Sequence, residues 1–302
     1  MTNTLLYIAT VLIWGSTWLA IKFQLGSVAP EVSVAYRFLL AAGLLFAWGA
    51  FRRARFGYPL RAHLIFVLLG LFLFSANYLL FYFATERLTT GLVAVVFSTI
   101  VAMNMVNGRI LFGRRSEARV VFGAVLGFMG ICVVFWPELV AFDLARSGTV
   151  GLLLSVVATY LASLGNMASA RLQGDGVPVL QGNAWGMLYG AVLQIGFALA
   201  RGSSFGFDPS PAYLGSLLYL AVFGSVIAFT CYLTLLGRIG ADRAAYAAVL
   251  FPVVALGLST VFEDFQWTQH AVLGVGLILI GNILVLGRPF RTGFRRRREA
   301  GT

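Results

Sequence analysis

Leu64-Ile-Phe-Val-Leu-Leu-Gly-Leu-Phe-Leu-Phe74 is apolar at every position. Val272–Ile280 reads the same way. A membrane β-barrel strand would alternate apolar and polar residues over about ten positions. Neither stretch alternates. In hydrocarbon every backbone N–H and C=O must be paired within its own segment or around a closed barrel, so these runs read as transmembrane helices.

The same pattern fills the chain. Of its 302 residues, 60% are hydrophobic and 11% are charged. About 20 mostly apolar residues cross hydrocarbon about 30 Å thick. Ten such stretches follow one another: approximately 4–22, 32–51, 62–83, 91–112, 118–136, 148–170, 179–200, 212–236, 243–262 and 270–287. Little is left for a soluble domain. The expected fold is an all-α polytopic membrane bundle of ten helices, with its function inside the bilayer. The first stretch is expected to stay in place. Met1–Thr4 carries no basic side chain, and the apolar run passes Trp18 without a small-residue cleavage pattern.

Charge sets the expected orientation. With a cytoplasmic N-terminus, the inner connectors and the tail hold seventeen of the 22 basic residues. Among them are Arg52, Arg53, Arg55, Arg61, Arg114, Arg115, Arg238, Arg243 and the Arg295–Arg298 run. The outer side holds five: Lys22, Arg37, Arg87, Arg146 and Arg201. That asymmetry follows the positive-inside rule, so both termini are expected in the cytoplasm. The net charge of +11 then reads as topology, with the basic tail 291–302 resting on anionic lipid, and not as nucleic-acid binding.

Several chemistries have no residues to carry them. Lys22 is the only lysine, so no P-loop exists and no nucleotide is expected as a partner. Cys132 and Cys231 are lone thiols within spans, without a metal-ligand pattern. His63 and His270 sit near span ends, unpaired with Cys or Asp motifs. No cofactor, no metal and no intramembrane catalytic site is expected.

The chain repeats itself. Gly123-Ala-Val-Leu-Gly-Phe-Met-Gly130 parallels Gly274-Val-Gly-Leu-Ile-Leu-Ile-Gly281, 151 positions on. Two five-span repeats, 1–147 and 148–290, would follow. Five is odd, so the second would thread the membrane in the opposite sense, an arrangement common in transporters that alternate between two faces. Gly123 and Gly127, and Gly182, Gly186 and Gly190, recur every four residues, a spacing that lets helix backbones approach closely. Pro252 is the one proline well inside a span. It removes a backbone hydrogen bond, so the ninth span is expected to kink or open there, as a hinge or as a static bend.

The deep polar residues are neutral. Lys22, Arg37, Arg109, Glu263 and Asp264 all fall within about a turn or two of a span end by this reading. That leaves Trp14, Thr17, Asn77, Tyr78, Tyr82, Ser98, Thr99, Tyr160, Ser163, Asn166, Trp185, Tyr232 and Tyr246 as candidate lining of an inner cavity, with Pro252 at its gate. Tyr78 and Tyr82 are four apart and share a helix face. Each serine or threonine can equally bond its own backbone. An aromatic, sparsely polar lining suits a small amphiphile with a few hydrogen-bonding groups, such as a zwitterionic amino acid.

Several stretches resemble the drug/metabolite transporter superfamily, EamA type. Ile13-Trp14-Gly15-Ser16-Thr17-Trp18 with Lys22 is similar to the family's opening motif, and Arg37-Phe38-Leu39-Leu40-Ala41 to its second-span motif. Tyr246, Leu250-Phe251-Pro252, Glu263 and the Gly274–Gly281 segment match its closing helices in order and spacing. The resemblance implies a 5+5 inverted repeat, alternating access, and a central cavity formed by spans 1–4 and 6–9, with spans 5 and 10 peripheral. It also implies a multi-pass protein of the bacterial inner membrane. The overall pattern is similar to the amino-acid exporter branch, including exporters of aromatic amino acids. The chain departs from the motif in its first half, where Val101 and Phe112 stand opposite Pro252 and Glu263 at the 151 offset. The function expected is export of amino acids or similar small metabolites. A flippase for lipids or lipid-linked metabolites is the alternative, and it would need an opening to the bilayer.

Overall fold

The computed structural model describes residues 1–24, 28–142, 146–262 and 267–286. Glu263, Asp264, Pro289 and the basic tail with Arg295–Arg298 lie outside the described residues. The rest forms ten membrane-length helical segments and, among the described residues, no strand. They are α1 (Asn3–Lys22), α2 (Pro30–Phe51), α3 (Leu60–Thr85), α4 (Thr90–Ser98 continued by Ile100–Phe112), α5 (Ala118–Val134), α6 (Arg146–Gly174), α7 (Val179–Ala200), α8 (Pro211–Ile239), α9 (Ala241–Ala245 continued by Ala247–Phe262) and α10 (Gln269–Leu286). Eight of these are long and apolar enough to cross a membrane by length and composition; α5 is apolar but shorter, at 17 residues, and α1 runs for 20.

Local chemistry sets where they begin and end. Pro30 and Pro211 occupy first-turn positions, where the missing N–H has no intrahelical partner to lose. The Thr2, Thr89 and Ser210 hydroxyls each accept a first-turn amide at 3.3 Å. Gly113 ends α4 at φ 65°, a left-handed conformation that favours glycine.

Helix packing obeys an exchange of halves. Replace each helix of the first five by its counterpart in the second five, and the main contacts map onto one another. α5 packs on α10, α2 on α7, and α4 on α9. The contact of α3 with α7 has its mate in α8 with α2; α3 with α6 matches α8 with α1; α4 with α6 matches α9 with α1. Ion pairs and hydrogen bonds fix the direction of threading. Arg238 at the end of α8 donates to the Met1 carbonyl at 3.0 Å, and Arg243 at the start of α9 meets Glu117, just before α5, at 2.8 Å. So α1, α5 and α9 start on one face, where α8 ends. That face carries Arg52, Arg53, Arg114 and Arg115 and is called the basic face below. At the other face Arg201, after α7, approaches Glu31 of α2 at 3.9 Å. Odd-numbered helices thus rise from the basic face and even-numbered ones descend to it, so α1–α5 and α6–α10 thread in opposite senses.

Two details mark the middle of the bundle. α3 widens into a π-helix at Phe72–Ala76, and its counterpart α8 does so at Leu220–Ile227. Such widenings present backbone carbonyls to neighbours and recur at functional sites. Here Gln194 Nε2 donates to the Ser75 carbonyl at 3.1 Å, and Trp14 Nε1 to the Gly224 carbonyl at 3.0 Å. In α9 the helix breaks at Tyr246, ahead of Pro252, and runs on through the proline to Phe262.

Candidate substrate site

An aromatic chain crosses the centre of the bundle. Tyr78 meets Phe38 at 5.1 Å between ring centroids, Phe38 meets Phe74 at 5.4 Å, and Phe74 meets Phe229 at 4.9 Å. Phe229 meets Trp14 at 4.7 Å, and Trp14 also touches Tyr232 at 5.1 Å and Phe251 at 5.6 Å. Most of these pairs are edge-to-face, the geometry that ring quadrupoles favour, worth about 0.5–1.5 kcal/mol each beyond area burial. The rings come from α1, α2 and α3 of one half and from α8 and α9 of the other. Trp14, Tyr78 and Tyr82 remain only partly buried.

Below this layer, toward the basic face, lies a polar rung. Asn166 Nδ2 donates to the Tyr232 hydroxyl at 2.9 Å. Asn104 Nδ2 donates to the Ala241 carbonyl at 3.0 Å and so ties α4 to the start of α9. Asn107 Nδ2 donates to Ser163 Oγ at 2.9 Å. Asn166 Oδ1 is buried and has no partner among the described residues.

Arg37 also reaches the centre. It is 5% exposed, and its Nε donates to Ser225 Oγ at 2.8 Å. Its guanidinium lies 5.4 Å from the ring centroids of both Phe38 and Tyr78. Ser225 is the middle residue of the 29-residue α8, so the charge stands near mid-membrane although Arg37 is close to the start of α2. The sequence places no charge there. Only the partner helix reveals the depth.

The structure brings together Trp14, Tyr78, Tyr232 and Asn166 from the candidate residues. Thr17 is buried beside them, its Oγ1 donating to the Trp14 carbonyl at 2.7 Å. Tyr82 follows one turn after Tyr78, on the same helix face. Asn77 is buried with an unpartnered Oδ1 among the described residues. Ser98 and Thr99 donate to their own helix, to the Val95 and Val96 carbonyls at 2.6 Å each, where α4 is interrupted.

Three candidates lie elsewhere. Tyr160 is 45% exposed, on one stripe of α6 with the exposed Leu153, Val156 and Val157. Trp185 belongs to a second aromatic group near the basic face, with His63 at 4.7 Å and Phe46 at 5.1 Å, and its Nε1 donates to the Phe56 carbonyl at 3.2 Å. Tyr246 is fully buried in the seam of α5 and α10, its hydroxyl donating to the Gly123 carbonyl at 3.1 Å. Sequence reasoning missed Phe38, Phe74, Phe229 and Ser225 as central, since each reads as an ordinary residue of an apolar span.

A cavity of about 410 Å³ lies between α1 and α8, lined by Ser16, Ala20, Phe23, Gly215, Tyr219 and Leu258. Leu12, Phe23, Leu218 and Phe223 on these two helices are exposed, so the cavity faces the apolar outer surface of the bundle. Inside it, the Ser16 and Tyr219 hydroxyls hydrogen-bond at 2.7 Å.

Ten helices in two oppositely threaded repeats, closing on an aromatic and amide centre, define a polytopic membrane protein of the transporter class. The chain belongs to the EamA-like transporter family, which matches it twice, over residues 1–136 and 149–287. It is 25% identical over 281 residues to the "Uncharacterized transporter YoaV" of Bacillus subtilis, covering 91% of this chain and 93% of that one. It is 27% identical over 284 residues to the "Uncharacterized inner membrane transporter YedA" of Escherichia coli, covering 92% and 88%. A "Probable amino-acid metabolite efflux pump" of Escherichia coli is 25% identical over 288 residues, covering 91% and 92%. A solved crystal structure shares the fold, with a TM-score of 0.80 at 19% identity over 94% of this chain and 96% of that one.

Proposed function

We propose that this chain exports amino acids or chemically similar small metabolites across a bacterial inner membrane, by alternating access around the aromatic centre. The observation that carries the reading is the shared origin of that centre: Phe38, Phe74 and Tyr78 come from one half, and Phe229, Tyr232 and Phe251 from the other. Rocking of repeat 1–147 against repeat 148–290 would open it to one face and then the other. The basic face would be cytoplasmic, with both termini on that side, and the tie of Asn104 to Ala241 would form part of the inner closure. Trp14, Thr17, Tyr78, Tyr82, Asn166 and Tyr232 would line the substrate, and the named efflux-pump relative points to the same substrate class.

The test is counterflow of labelled amino acids into liposomes holding the purified chain. Transport of at least one neutral amino acid is expected, and Tyr78→Ala should lower it while the protein still folds. Unchanged transport in that variant would remove the aromatic centre from the path. The cavity between α1 and α8 favours a second reading, as a flippase for an amphiphile that enters from the bilayer. Headgroup-labelled lipid crossing these liposomes without amino-acid transport would select it.

A further inference from the structure

We infer that Arg37 is the receptor for a carboxylate on the transported molecule. The inference rests on the transport reading above and specifies what its site selects. A cation inside a membrane protein is costly to hold unless it is paired or serves a purpose. Among the described residues no carboxylate pairs with Arg37. Glu31, the one acid on α2, lies nearer the helix start and is engaged by Arg201 and Ser203. Arg37 donates through Nε to Ser225 and also hydrogen-bonds the Tyr78 hydroxyl, so its side-chain partners among the described residues are uncharged.

The Ser225 bond aims the guanidinium, and with one further N–H engaged by the Tyr78 hydroxyl, terminal N–H groups of its planar fork remain for a ligand. A carboxylate matches such a fork with two parallel hydrogen bonds. The backbone makes room for it. A methyl group on Gly224 would stand 3.2 Å from Arg37 Nη2 and 3.1 Å from Thr17 Cγ2, so glycine there lets the cation lie against α8. Gly224 also gives its carbonyl to Trp14, which places the cation and the central tryptophan on one residue of the π-helical segment. The rings of Phe38 and Tyr78 partly compensate the charge without neutralising it. A buried cation held only by hydroxyls and ring faces among the described residues, beside a chain of aromatic rings, fits a molecule with a carboxylate at one end and an apolar or aromatic body. Its site would be this Arg37–Gly224–Trp14 corner.

The test compares three forms of one neutral aromatic amino acid in liposomes: the acid, its amide and the decarboxylated amine. Wild type should carry the acid about ten- to a hundredfold better than either derivative, the range of a charge-assisted pair. Arg37→Gln should remove most acid transport and bring the acid-to-amide ratio near one. Arg37→Lys should restore part of both. A merely structural arginine would lower all three rates together and leave the ratio intact, and that result overturns the assignment. Should Arg37→Gln fail to fold, Ser225→Ala, which frees the guanidinium from its anchor, should raise KM for the acid several-fold and leave the amide unchanged. An unchanged KM for the acid overturns it too. If wild type moves no amino acid at all, the transport reading falls by itself. Thermal unfolding with simple aromatic monocarboxylates then decides on Arg37. Stabilisation of wild type that is lost in the variants supports it, and no stabilisation of wild type rejects it.

Discussion

Two glycines of α10, two residues apart, should respond to the same methyl group with opposite signs. A methyl on Gly274 would stand 2.6 Å from the Gly130 carbonyl oxygen and 2.7 Å from the Val134 amide nitrogen of α5. Ordinary contact begins at 3.4 Å, so the two backbones would have to part by about 0.8 Å. A gap of about 0.5–1 Å forfeits a quarter to a half of each dispersion contact along the seam. Overpacking of this kind costs about 1–3 kcal/mol. At about 2–4 °C per kcal/mol for chains of a few hundred residues, Gly274→Ala should lower Tm by about 2–12 °C. Gly276 has nothing within 4 Å of the same added carbon. There the substitution only trades glycine for a better helix former, by about 0.8–1.0 kcal/mol, so Gly276→Ala should hold or raise Tm. Intrinsic tryptophan fluorescence during thermal unfolding in detergent reads both. If Gly274→Ala is as stable as Gly276→Ala, the backbone-to-backbone seam of α5 and α10 is wrong.

Gly224→Ala should push the Arg37 head and Thr17 by a few tenths of an ångström, since its methyl would meet them at 3.2 and 3.1 Å; KM for a carboxylate substrate should rise several-fold in liposomes with little change in Tm. Tyr246→Phe removes the hydroxyl that donates to the Gly123 carbonyl at 3.1 Å, and should cost about 1 kcal/mol in thermal unfolding without altering which substrates are carried. Pro252→Ala returns an N–H to α9, and if the proline serves as a hinge it should slow turnover in counterflow while substrate affinity holds; equal turnover would assign it to a static role.

Much of this scaffold was legible from the chain. Runs such as Leu64–Phe74 admit only helix in a membrane, and the Gly123–Gly130 and Gly274–Gly281 segments marked the repeat that the α5–α10 contact now joins. Gly127 was legible as a packing residue and Gly281 as part of the repeat, but neither as the slot for Tyr246, because a ring from α9 enters there and no local pattern announces it. Tyr160 was open to a better reading: Leu153, Val156 and Val157 lie seven, four and three positions before it, a helical stripe that turns it outward. The π-helical segments had no local signal, since Phe72–Ala76 and Leu220–Ile227 are ordinary apolar sequence. Arg37 was visible but misplaced in depth. Distance from the end of its own helix is a poor guide when the side chain crosses to the midpoint of another.

The scaffold is symmetric and the lining is not, and the difference bears on how such a protein could work. Counted from the helix starts, Arg37 of α2 falls on Gly186 of α7, and at the 151 offset it falls on Leu188, so neither pairing supplies a second cation. Gly186 is glycine for packing, as a methyl there would stand 2.9 Å from Leu69 Cδ2 and 3.0 Å from Phe74 Cε2. The exchange of halves therefore carries a buried cation onto an uncharged helix, α7. On the transport reading, the two halves can trade positions as rigid bodies, because their helix pairings are interchangeable. The substrate cannot be held the same way by both, because among the described residues only α2 brings a charge to the centre. A bound carboxylate would stay with Arg37 of α2 throughout the cycle while the second half, with Asn166 and Tyr232, moved past it. Symmetry would then serve the motion, and its local breakage would serve recognition.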